Sequence, residues 1–589
     1  MFKPAEDRLN YSHLLTPPEG YTVEFAAGTT YSLDLEALVG IPMSMFLSEE
    51  MESSFLENPI AVLEGLRRSA DKFILFSEAG QTKVPQNSNL VFSLLETSVN
   101  EIALKSEKSF HPKIWLIKFK NESNEILYRL IVLTRNLTFD RSWDMAIALD
   151  GKMNKEKTSK NRPIADFFAF LLSYVNNNRQ KKEINAMISD LAFVHFESKD
   201  KHFKNVDFLP LGLQEYNIAK TELFNTYHNL LVISPFLSKE MVEKLNEKAL
   251  INSDRTLITR KSEISKLDEK LLGDINVYAL KDIIVDGEEN LSEGGEIIED
   301  YYKQDIHAKM YARTKYNKHE FYIGSANCSH NAFNGNVEFL LKFDYVKRGF
   351  KLIDILKDLF GEEDSENPFE KIEAIPEEEE TESDIMEMLQ KTIKKLCRTN
   401  PKGKVRELNA GYDLEIRFDS VPKEAQLIIM PLLSGKERRV TPYTVINDLS
   451  LSELGEFYIV KAIKEEAEVK RVIKINTENM PEERDNDIYK RIIKDKHTFF
   501  KYVAFLLSDN ALMAALEHGE IHKGAGKWEQ SSFFMPVLYE TMLKAASSSP
   551  EKLKDIESIV KMIQDDEIVP EEFYELYNTF LKAVKKVKR

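Results

Sequence analysis

The amino-acid sequence predicts an α/β protein of two similar halves, each with a mixed β-sheet flanked by helices, followed by a small β-rich domain and a C-terminal helical domain. Short apolar runs that end in turn residues, such as "DKFILFSEAG" from Asp71 and "HNLLVISPFLS" from His228, alternate with charged helical stretches. Such alternation is typical of largely buried sheets with helices on their faces. In addition, one composite motif occurs twice, and its two histidines, His111 and His307, are 196 residues apart.

Changes in composition along the chain predict where its domains begin and end. An apolar helix from Asn161 to Asn178 is expected to close the first half. The stretch from Glu362 to Asp384 contains twelve acidic residues and one lysine, which favours a solvated linker. Alternating apolar residues then predict a small antiparallel β unit between 403 and 477, and the chain beyond Asp485 is predicted to be helical. The expected segments are residues 1–185 (first half), 186–355 (second half), 356–385 (acidic linker), 386–480 (β-rich domain) and 481–589 (helical domain).

The second copy of the motif lies in "QDIHAKMYARTKYNKHEFYIGSANCSHNAFNGNVEF". Residues 306 to 312 alternate well enough to predict a strand, and His307 and Lys309 should share one face of it, since side chains two apart in a strand point the same way. The apolar run 321 to 323 predicts the neighbouring strand, which ends in the turn Gly324-Ser325-Ala326-Asn327. An imidazole, an ammonium and an amide can therefore converge on one anion.

The first copy, "SFHPKIWLIKFKNESNEILYRLIVLTRN", repeats this arrangement. His111 and Lys113 open an apolar strand, a polar turn follows, and the strand "YRLIVL" runs into Thr134-Arg135-Asn136. A third His-x-Lys, formed by His202 and Lys204, is followed by neither a strand nor a Ser/Thr-x-Asn turn, and we interpret it as a chance occurrence. A pattern this composite is not expected twice by chance, so the repeat itself predicts a functional site.

With both copies in view, the chain resembles the phospholipase D superfamily over roughly residues 1 to 355. In that superfamily, two similar halves each supply one His-x-Lys motif to a shared, pseudo-two-fold active site. Glu338 follows Asn327 by eleven residues, and Asp144, which follows Asn136 by eight, is its counterpart in the first copy. The resemblance implies catalytic roles for His111, Lys113, Asn136, His307, Lys309, Asn327 and Glu338, and supporting roles for Asp144, Ser325 and Thr134.

One departure from the superfamily pattern bears on the substrate. The usual motif has an aspartate five residues after the lysine, where this chain has Lys118 in the first copy and Thr314 in the second. By resemblance, loss of this aspartate is typical of the tyrosyl-DNA phosphodiesterase branch and of divergent nucleases, and less typical of lipid-cleaving members. It therefore favours nucleic acid as the partner of the site, with DNA favoured by the resemblance alone, since the residues do not separate DNA from RNA.

The residue set suits a phosphodiester cleavage that proceeds in two displacements. One neutral histidine attacks phosphorus to give a phosphohistidine, and the other, protonated, donates to the leaving oxygen and later activates water. Lysines and asparagines stabilise the charge on the non-bridging oxygens, and carboxylates orient the histidines. The resemblance implies that His111 is the nucleophile and His307 the acid and base, although the residues alone leave these roles exchangeable. No metal or cofactor is required by this scheme.

Composition indicates the compartment and the scale of the protein. With 589 residues and 43% apolar residues, the chain can form cores for about two to four domains. No apolar run is long enough to predict a membrane span, and "MFKPAEDRLNYSH" lacks the apolar segment of a signal peptide. The two cysteines, Cys328 and Cys397, do not suggest a disulfide framework. We interpret Cys328 as a packing residue, with a reactive thiol as the alternative, and we expect a cytoplasmic protein.

The net charge of the chain partly opposes the prediction that the site binds nucleic acid. The net charge of −17 repels phosphate backbones in general. The acidic stretch beginning at Glu362 accounts for much of it and has a second interpretation, as a segment that covers the cationic site until a substrate or partner displaces it.

The C-terminal domains carry no motif that predicts chemistry. "KGAGKWEQ" from Lys523 is not a P-loop, because Ile521 occupies the place of the first glycine and Trp528 that of the Ser or Thr. The basic end, Lys582 to Arg589, suits a helix C-terminus or, alternatively, a nucleic-acid contact. We therefore expect these domains to serve docking or targeting. The resemblance implies a role in bacterial anti-phage defence or restriction, beside a helicase or other ATPase partner.

Three functions remain compatible with the sequence. The first is a metal-independent phosphodiesterase that acts as a nuclease on DNA. The second is a repair enzyme that removes adducts from DNA ends. The third is a non-catalytic nucleic-acid-binding or scaffold module, against which the intact His111, Lys113 and Asn136 argue. The sequence does not separate single from double strands.

Overall fold

The structure is a computed structural model. It describes residues 11–47, 59–69, 71–105, 108–139, 142–213, 215–217, 221–281, 305–361, 367–375, 383–409, 411–507, 538–539, 541–545, 550–563, 565 and 567–587. The stretch "KGAGKWEQ" lies outside these residues, as do Lys588 and Arg589 of the basic C-terminal end.

The first half is built on a mixed sheet, as predicted. The described strands are Tyr21–Thr30 (β1), Phe73–Glu78 (β2), Val99–Ile102 (β3), Ile114–Asn121 (β4), Ile126–Leu133 (β5), Ser142–Trp143 (β6), Ala146–Met153 (β7) and Val194–Ser198 (β8). Seven of them form a sheet in the order β3-β2-β1-β4-β5-β7-β8. β1, β2 and β3 are parallel, and every other neighbouring pair is antiparallel. All six residues of β2 are buried, as expected for a strand covered on both faces.

The second half repeats this topology. Its described strands are Phe203–Leu211 (β9), Tyr227–Ile233 (β10), Ala249–Thr259 (β11), Asn276–Leu280 (β12), Asp305–Ile306 (β13), Met310–Lys315 (β14), Lys318–Gly324 (β15), Glu338–Tyr345 (β16) and Phe369–Lys371 (β17). Eight of them form a sheet in the order β17-β12-β11-β10-β14-β15-β16-β9. β10, β11 and β12 are parallel and the other pairs antiparallel. β10, β14 and β15 therefore correspond to β1, β4 and β5.

Helices flank both sheets. In the described part of the first two halves, the α-helices are Tyr11–Leu15 (α1), Leu35–Pro42 (α2), Pro59–Ser69 (α3), Arg162–Leu171 (α4), Asn178–Asp190 (α5), Lys239–Asn246 (α6), Glu269–Asp274 (α7), His330–Asn334 (α8) and Ile353–Phe360 (α9). A π-helix spans Met43–Leu47, and the longest 3-10 helix spans Leu90–Ser98. One hydrophobic core joins the two sheets, with Ile74 and Leu130 from the first and Leu231 and Ile323 from the second.

The predicted strand over residues 306 to 312 is wrong in its middle. β13 ends at Ile306 and β14 begins at Met310, so His307 and Lys309 lie between two strands. The amides of His307 and Ala308 both donate to the Trp143 carbonyl, at 2.9 and 2.8 Å, which draws this backbone away from the sheet. In the first half, β4 likewise begins only at Ile114, after the His-x-Lys residues.

Two further expectations need correction. The single helix expected from Asn161 to Asn178 ends at Leu171, and α5 begins at Asn178, because the Asn177 side chain accepts hydrogen bonds from the first amides of α5. The acidic stretch is not solvated throughout, since Phe369 is buried and β17 pairs antiparallel with β12. An apolar side chain within a charged stretch can anchor it to the core, and net charge alone does not show this.

A β-rich region follows the acidic stretch. Its described strands are Lys402–Leu408 (β18), Gly411–Arg417 (β19), Gln426–Pro431 (β20), Arg438–Arg439 (β21), Tyr443–Leu449 (β22), Phe457–Lys464 (β23), Ala467–Lys474 (β24) and Thr477–Glu478 (β25). They form two four-stranded sheets, β22-β19-β18-β25 and β21-β20-β23-β24. The unit was expected to be antiparallel, and the pair of β18 with β25 is parallel. The helix Ser383–Cys397 (α10) shares a hydrophobic core with both sheets through Leu389 and Ile393.

The chain ends in helices that pack against the first half. Those described are Glu483–Ile492 (α11), Lys496–Leu507 (α12), Pro550–Ile563 (α13) and Glu571–Val587 (α14). Tyr502 of α12 donates to the buried Glu64 of α3 at 2.8 Å, and Arg67 of α3 forms an ion pair with Asp555 of α13 at 2.8 Å. Among the described helices, none is both long and apolar enough to cross a membrane.

Candidate active site

The two His-x-Lys segments are each held by the backbone of the opposite half. Phe110 forms a parallel bridge with Val337, and the amide of His111 donates to the Val337 carbonyl at 2.9 Å. In the same way, Ile306 pairs in parallel with Trp143, and the amide of His307 donates to the Trp143 carbonyl at 2.9 Å. Because Val337 and Trp143 immediately precede Glu338 and Asp144, each histidine lies beside the carboxylate-bearing segment of the other half.

The side chains of Thr134 and Ser325 show that Asp144 and Glu338 are equivalent. The amide of Met145 donates to the Thr134 hydroxyl at 2.8 Å, and the Thr134 amide donates to the Met145 carbonyl at 3.0 Å. Ser325 makes the same pair of bonds with Phe339, at 2.9 and 3.0 Å. Met145 and Phe339 follow the two carboxylates directly, so these residues occupy matching positions. The unequal spacing from the asparagines is absorbed by the longer loop of the second half, which contains α8.

The two asparagines also occupy matching positions. The amide of Leu137, next to Asn136, donates to the Thr30 hydroxyl at 3.0 Å, and the amide of Cys328, next to Asn327, donates to the Ser234 hydroxyl at 2.8 Å. The Asn136 side-chain oxygen accepts from the Ser32 amide at 3.4 Å. In the described structure, the side-chain oxygen of Asn327 is buried and has no hydrogen-bond partner. A buried amide in this state is available to a bound ligand.

His111 is held in the form that a nucleophile requires. Its Nδ1 lies 2.9 Å from Oε2 of Glu338, and its Nε2 lies 3.1 Å from the Lys113 ammonium. Glu338 is fully buried and also accepts from the Ser325 hydroxyl. With the carboxylate as acceptor, the proton of His111 resides on Nδ1, and Nε2 presents a lone pair.

The environment also keeps the His111 ring neutral. Burial, together with the positive charges of Lys113 and Lys309, lowers the pKa of His111 to about 4, against the opposing effect of Glu338. The side chain is only 14% exposed. At neutral pH the imidazole is therefore unprotonated despite its carboxylate partner.

The two lysines form a buried cationic pair. Lys113 and Lys309 donate to the carbonyls of His111 and His307, at 2.9 and 2.6 Å, and Lys309 also donates to the Thr134 carbonyl at 3.2 Å. Burial and the nearby charge of Lys309 hold the pKa of Lys113 well below its usual value. An anion bound between the lysines would relieve both effects, which is what a phosphate-binding site needs.

Three residues that the sequence did not indicate form a connected group beside His111 and its neighbour Phe110. The ring of Tyr31 contacts the His111 ring edge-on, with 4.8 Å between centroids. Lys394 of α10 donates to the Tyr31 hydroxyl at 3.2 Å and forms an ion pair with Glu78 at 3.0 Å. Glu78 in turn accepts from the amide of Phe110 at 2.7 Å. No local pattern marks these residues, because they reach the site only through long-range packing.

Other residues singled out by the sequence lie outside this cluster. Lys118 pairs with Asp190 at 3.1 Å, and Thr314 contacts His319 at 2.9 Å. His202, of the third His-x-Lys, contacts the Val346 carbonyl at 3.0 Å. Cys328 is buried, and burial raises its pKa to about 12, which agrees with a packing role. Within the described residues, no group of three or more His, Cys, Asp or Glu side chains is arranged to hold a metal ion.

Comparisons with known proteins give distant structural likenesses only. No known family profile and no curated protein sequence matches the chain. Among solved structures, a yeast tyrosyl-DNA phosphodiesterase mutant is 11% identical, with 59% of this chain and 88% of that chain covered and a TM-score of 0.37. Polyphosphate kinase from Porphyromonas gingivalis is 14% identical, with 59% and 44% covered and a TM-score of 0.32. Both TM-scores lie below 0.5.

Proposed function

We propose that this protein is a metal-independent phosphodiesterase of the phospholipase D superfamily that cleaves nucleic acid, with DNA favoured, through a phosphohistidine intermediate. One observation carries this proposal. Two His-x-Lys segments meet across a pseudo-two-fold arrangement in which Glu338 of one half holds His111 of the other. A neutral, oriented imidazole next to two buried ammonium groups is the arrangement that nucleophilic attack on a phosphodiester requires.

The proposed reaction has two displacements. Nε2 of His111 attacks phosphorus, so that an N–P bond forms while the bond from phosphorus to the leaving oxygen breaks, and His307 donates a proton to that oxygen. His307 then takes a proton from water as the water attacks phosphorus, and the N–P bond breaks. Lys113 and Lys309 stabilise the charge on the non-bridging oxygens in both steps. The Asn327 amide supplies a further polar contact.

The nature of the substrate is supported by the residues that replace the superfamily aspartate. Lys118 and Thr314 stand at these positions and make contacts outside the cluster around His111. This departure is typical of the nuclease and tyrosyl-DNA phosphodiesterase branches. The same departure favours a second candidate, removal of an adduct from a DNA end. The defence role and the ATPase partner stay predictions.

A nucleic-acid cleavage assay in excess EDTA tests the proposal. Labelled single- and double-stranded DNA and RNA, together with a DNA carrying a 3′-phosphotyrosyl end, would be incubated with the wild type and with His111→Ala, His307→Ala and His202→Ala. We expect cleavage in excess EDTA that is lost in the first two variants and retained in the third, because His202 lies away from the site. Internal cutting of unmodified strands indicates a nuclease, and removal of the tyrosyl group alone indicates end repair.

Two results would contradict the proposal. Cleavage that survives both His111→Ala and His307→Ala would exclude the two-histidine mechanism. The absence of any cleavage by a folded wild type would favour the non-catalytic binding module. Rapid quenching with SDS at alkaline pH during turnover adds a direct readout, since a DNA substrate labelled at the scissile phosphate should transfer its label to the wild type and not to His111→Ala.

A further inference from the structure

The β-rich region contributes a strand to the immediate surroundings of the candidate active site. The amide of Val472, in β24, donates to the Thr82 carbonyl at 2.9 Å. The neighbouring Gln81 carbonyl accepts from the Ser32 hydroxyl at 3.1 Å, and Ser32 is bound to Asn136. β24 therefore runs beside the loop that carries Tyr31, the residue in contact with His111.

Arg471 of this strand is a partly buried cation that lacks a counter-ion. Among the described residues, no carboxylate forms an ion pair with it, and its one hydrogen bond is to the Lys470 carbonyl at 2.8 Å. Burial lowers the pKa of Arg471, and the nearby Tyr31 phenol opposes this effect. Withdrawing a guanidinium from water without an anionic partner is unfavourable. We therefore expect an anion to bind to the Arg471 guanidinium.

Arg471 also lies on the face of its sheet that packs against α10. In a strand, residues two apart share a face, so Arg471 lies on the face of Val469 and Ile473. These two residues belong to the core that β24 shares with α10. α10 carries Lys394, whose ammonium lies 4.9 Å from the centre of the Tyr31 ring. Arg471 and Lys394 thus approach Tyr31 from the same domain.

The charges around Tyr31 favour a polyanion. The ammonium of Lys394 is already engaged by Glu78 and by the hydroxyls of Tyr31 and Ser109, so it serves to fix this wall of the site. Arg471 has no such engagement, and its planar guanidinium matches two oxygens of a phosphate. In a chain of net charge −17, this local excess of positive charge would direct a phosphate backbone to the site.

We propose that Arg471 binds the backbone phosphate next to the one that is cleaved, so that the β-rich region forms one wall of a nucleic-acid-binding site. This inference rests on the proposed function, since it takes the phosphate at His111 as its reference point. It assigns the region a direct role in holding substrate, where the sequence predicted docking or targeting. A substrate with a single phosphodiester gains nothing from this subsite.

Binding and turnover of Arg471→Gln test the inference. Binding of a fluorescein-labelled single-stranded DNA would be followed by anisotropy at several salt concentrations, with Arg471→Lys as a second variant. We expect the Kd of Arg471→Gln to rise about tenfold and the slope of log Kd against log salt to fall by about 0.7, for one lost phosphate contact. Arg471→Lys should keep the salt slope and lose part of the affinity, because lysine retains the positive charge but lacks the paired N–H donors of the planar guanidinium.

A matched control lies on the opposite edge of the same sheet. Arg438, in β21, is exposed and also bonds the carbonyl of its preceding residue, at 2.9 Å. Arg438→Gln should bind DNA like the wild type. In turnover, Arg471→Gln should raise KM for DNA and leave kcat/KM for bis(p-nitrophenyl) phosphate unchanged.

The outcomes separate this inference from the proposed function. If Arg471→Gln binds DNA like the wild type, or loses the same factor on DNA and on bis(p-nitrophenyl) phosphate, the subsite is wrong. If the wild type hydrolyses bis(p-nitrophenyl) phosphate and binds no DNA, the subsite fails while the phosphodiesterase stands. If the wild type hydrolyses neither substrate, the proposed function fails, and the anisotropy measurement still decides whether Arg471 binds DNA.

Discussion

His111 and Glu338 are 227 residues apart in the chain, and Nδ1 of the first lies 2.9 Å from Oε2 of the second. The contact joins the two halves, because His111 precedes β4 of the first sheet and Glu338 begins β16 of the second. The proposed nucleophile therefore acquires its orientation only when both halves have folded against each other. Neither half alone contains the complete pair.

We expect Glu338→Gln to lower kcat by on the order of 10²- to 10⁴-fold with little change in KM, because a neutral amide no longer fixes the proton on Nδ1 of His111. Steady-state kinetics on the substrate identified in EDTA would measure this. The surface pair of His330 and Glu240, at 2.7 Å, supplies the control, and Glu240→Gln should leave kcat unchanged. Equal activity of Glu338→Gln and the wild type would exclude an orienting role for this carboxylate.

The pH dependence should report the depressed pKa of His111. The attacking form is the neutral ring, so kcat/KM should fall as the pH drops through about 4, the pKa to which burial and the two lysines lower this group. Lys113→Met removes one of these positive charges and should move the acidic limb of its residual activity to higher pH. Lys204→Met, in the third His-x-Lys, should leave the limb in place. A limb that does not move in Lys113→Met would contradict the assignment of that limb to His111.

Lys394 is expected to act as a positioning residue. Lys394→Ala releases Tyr31 and Glu78, so kcat should fall by up to about 100-fold through misplacement of His111, with KM for bis(p-nitrophenyl) phosphate unchanged. Lys395→Ala is the control, since the side chain of this neighbour on the same helix is 43% exposed and pairs with Glu424. If Lys394→Ala lowers only the Tm, and the folded fraction keeps the kcat of the wild type, Lys394 has a structural role alone.

Glu101 should make stability depend on pH. Burial raises the pKa of Glu101 to about 8 in the folded protein, above its usual value of 4.5. The folded state therefore binds this proton more tightly, and its contribution to stability is present below pH 4.5 and is lost as the pH rises through 8. Glu101→Gln should have the Tm of the wild type at pH 4 and a higher Tm at pH 9. Each kcal/mol gained in the free energy of unfolding should raise the Tm by about 2–4 °C.

Glu466→Gln controls for the removal of one negative charge, since Glu466 is exposed in the turn between β23 and β24. The difference in Tm between this variant and the wild type should not change with pH. A Tm difference between Glu101→Gln and the wild type that is as large at pH 4 as at pH 9 would show that the ionisation of Glu101 is not its cause.

Much of the fold could be predicted from the sequence. The apolar runs at β2, β10 and β15 are strands in the structure, because continuous burial leaves a continuous apolar pattern. The repeated motif predicted two halves of one topology, and the two sheets share theirs. The break between Ile306 and Met310 was missed, because it depends on hydrogen bonds to Trp143 in the other half.

Within the candidate site, the sequence likewise predicted the residues that a local pattern marks and missed those that depend on long-range contacts. The His-x-Lys pairs and the asparagines are close in sequence to their strands, so their pattern marks them. Asp144 and Glu338 differ in spacing, and only the matching bonds of Thr134 and Ser325 show them to be equivalent. Spacing changes with loop length, whereas backbone pairing at the site does not.

The sequence by itself determined the two halves, the α/β class and the chemical groups available to the site. Only the tertiary structure decided that Glu338 binds His111 across the halves, that Tyr31 contacts the same ring and that Lys394 binds Tyr31. The physical reason is that periodicity and residue type act over a few neighbouring residues. Hydrogen bonds and burial between segments hundreds of residues apart leave no regular pattern in the chain.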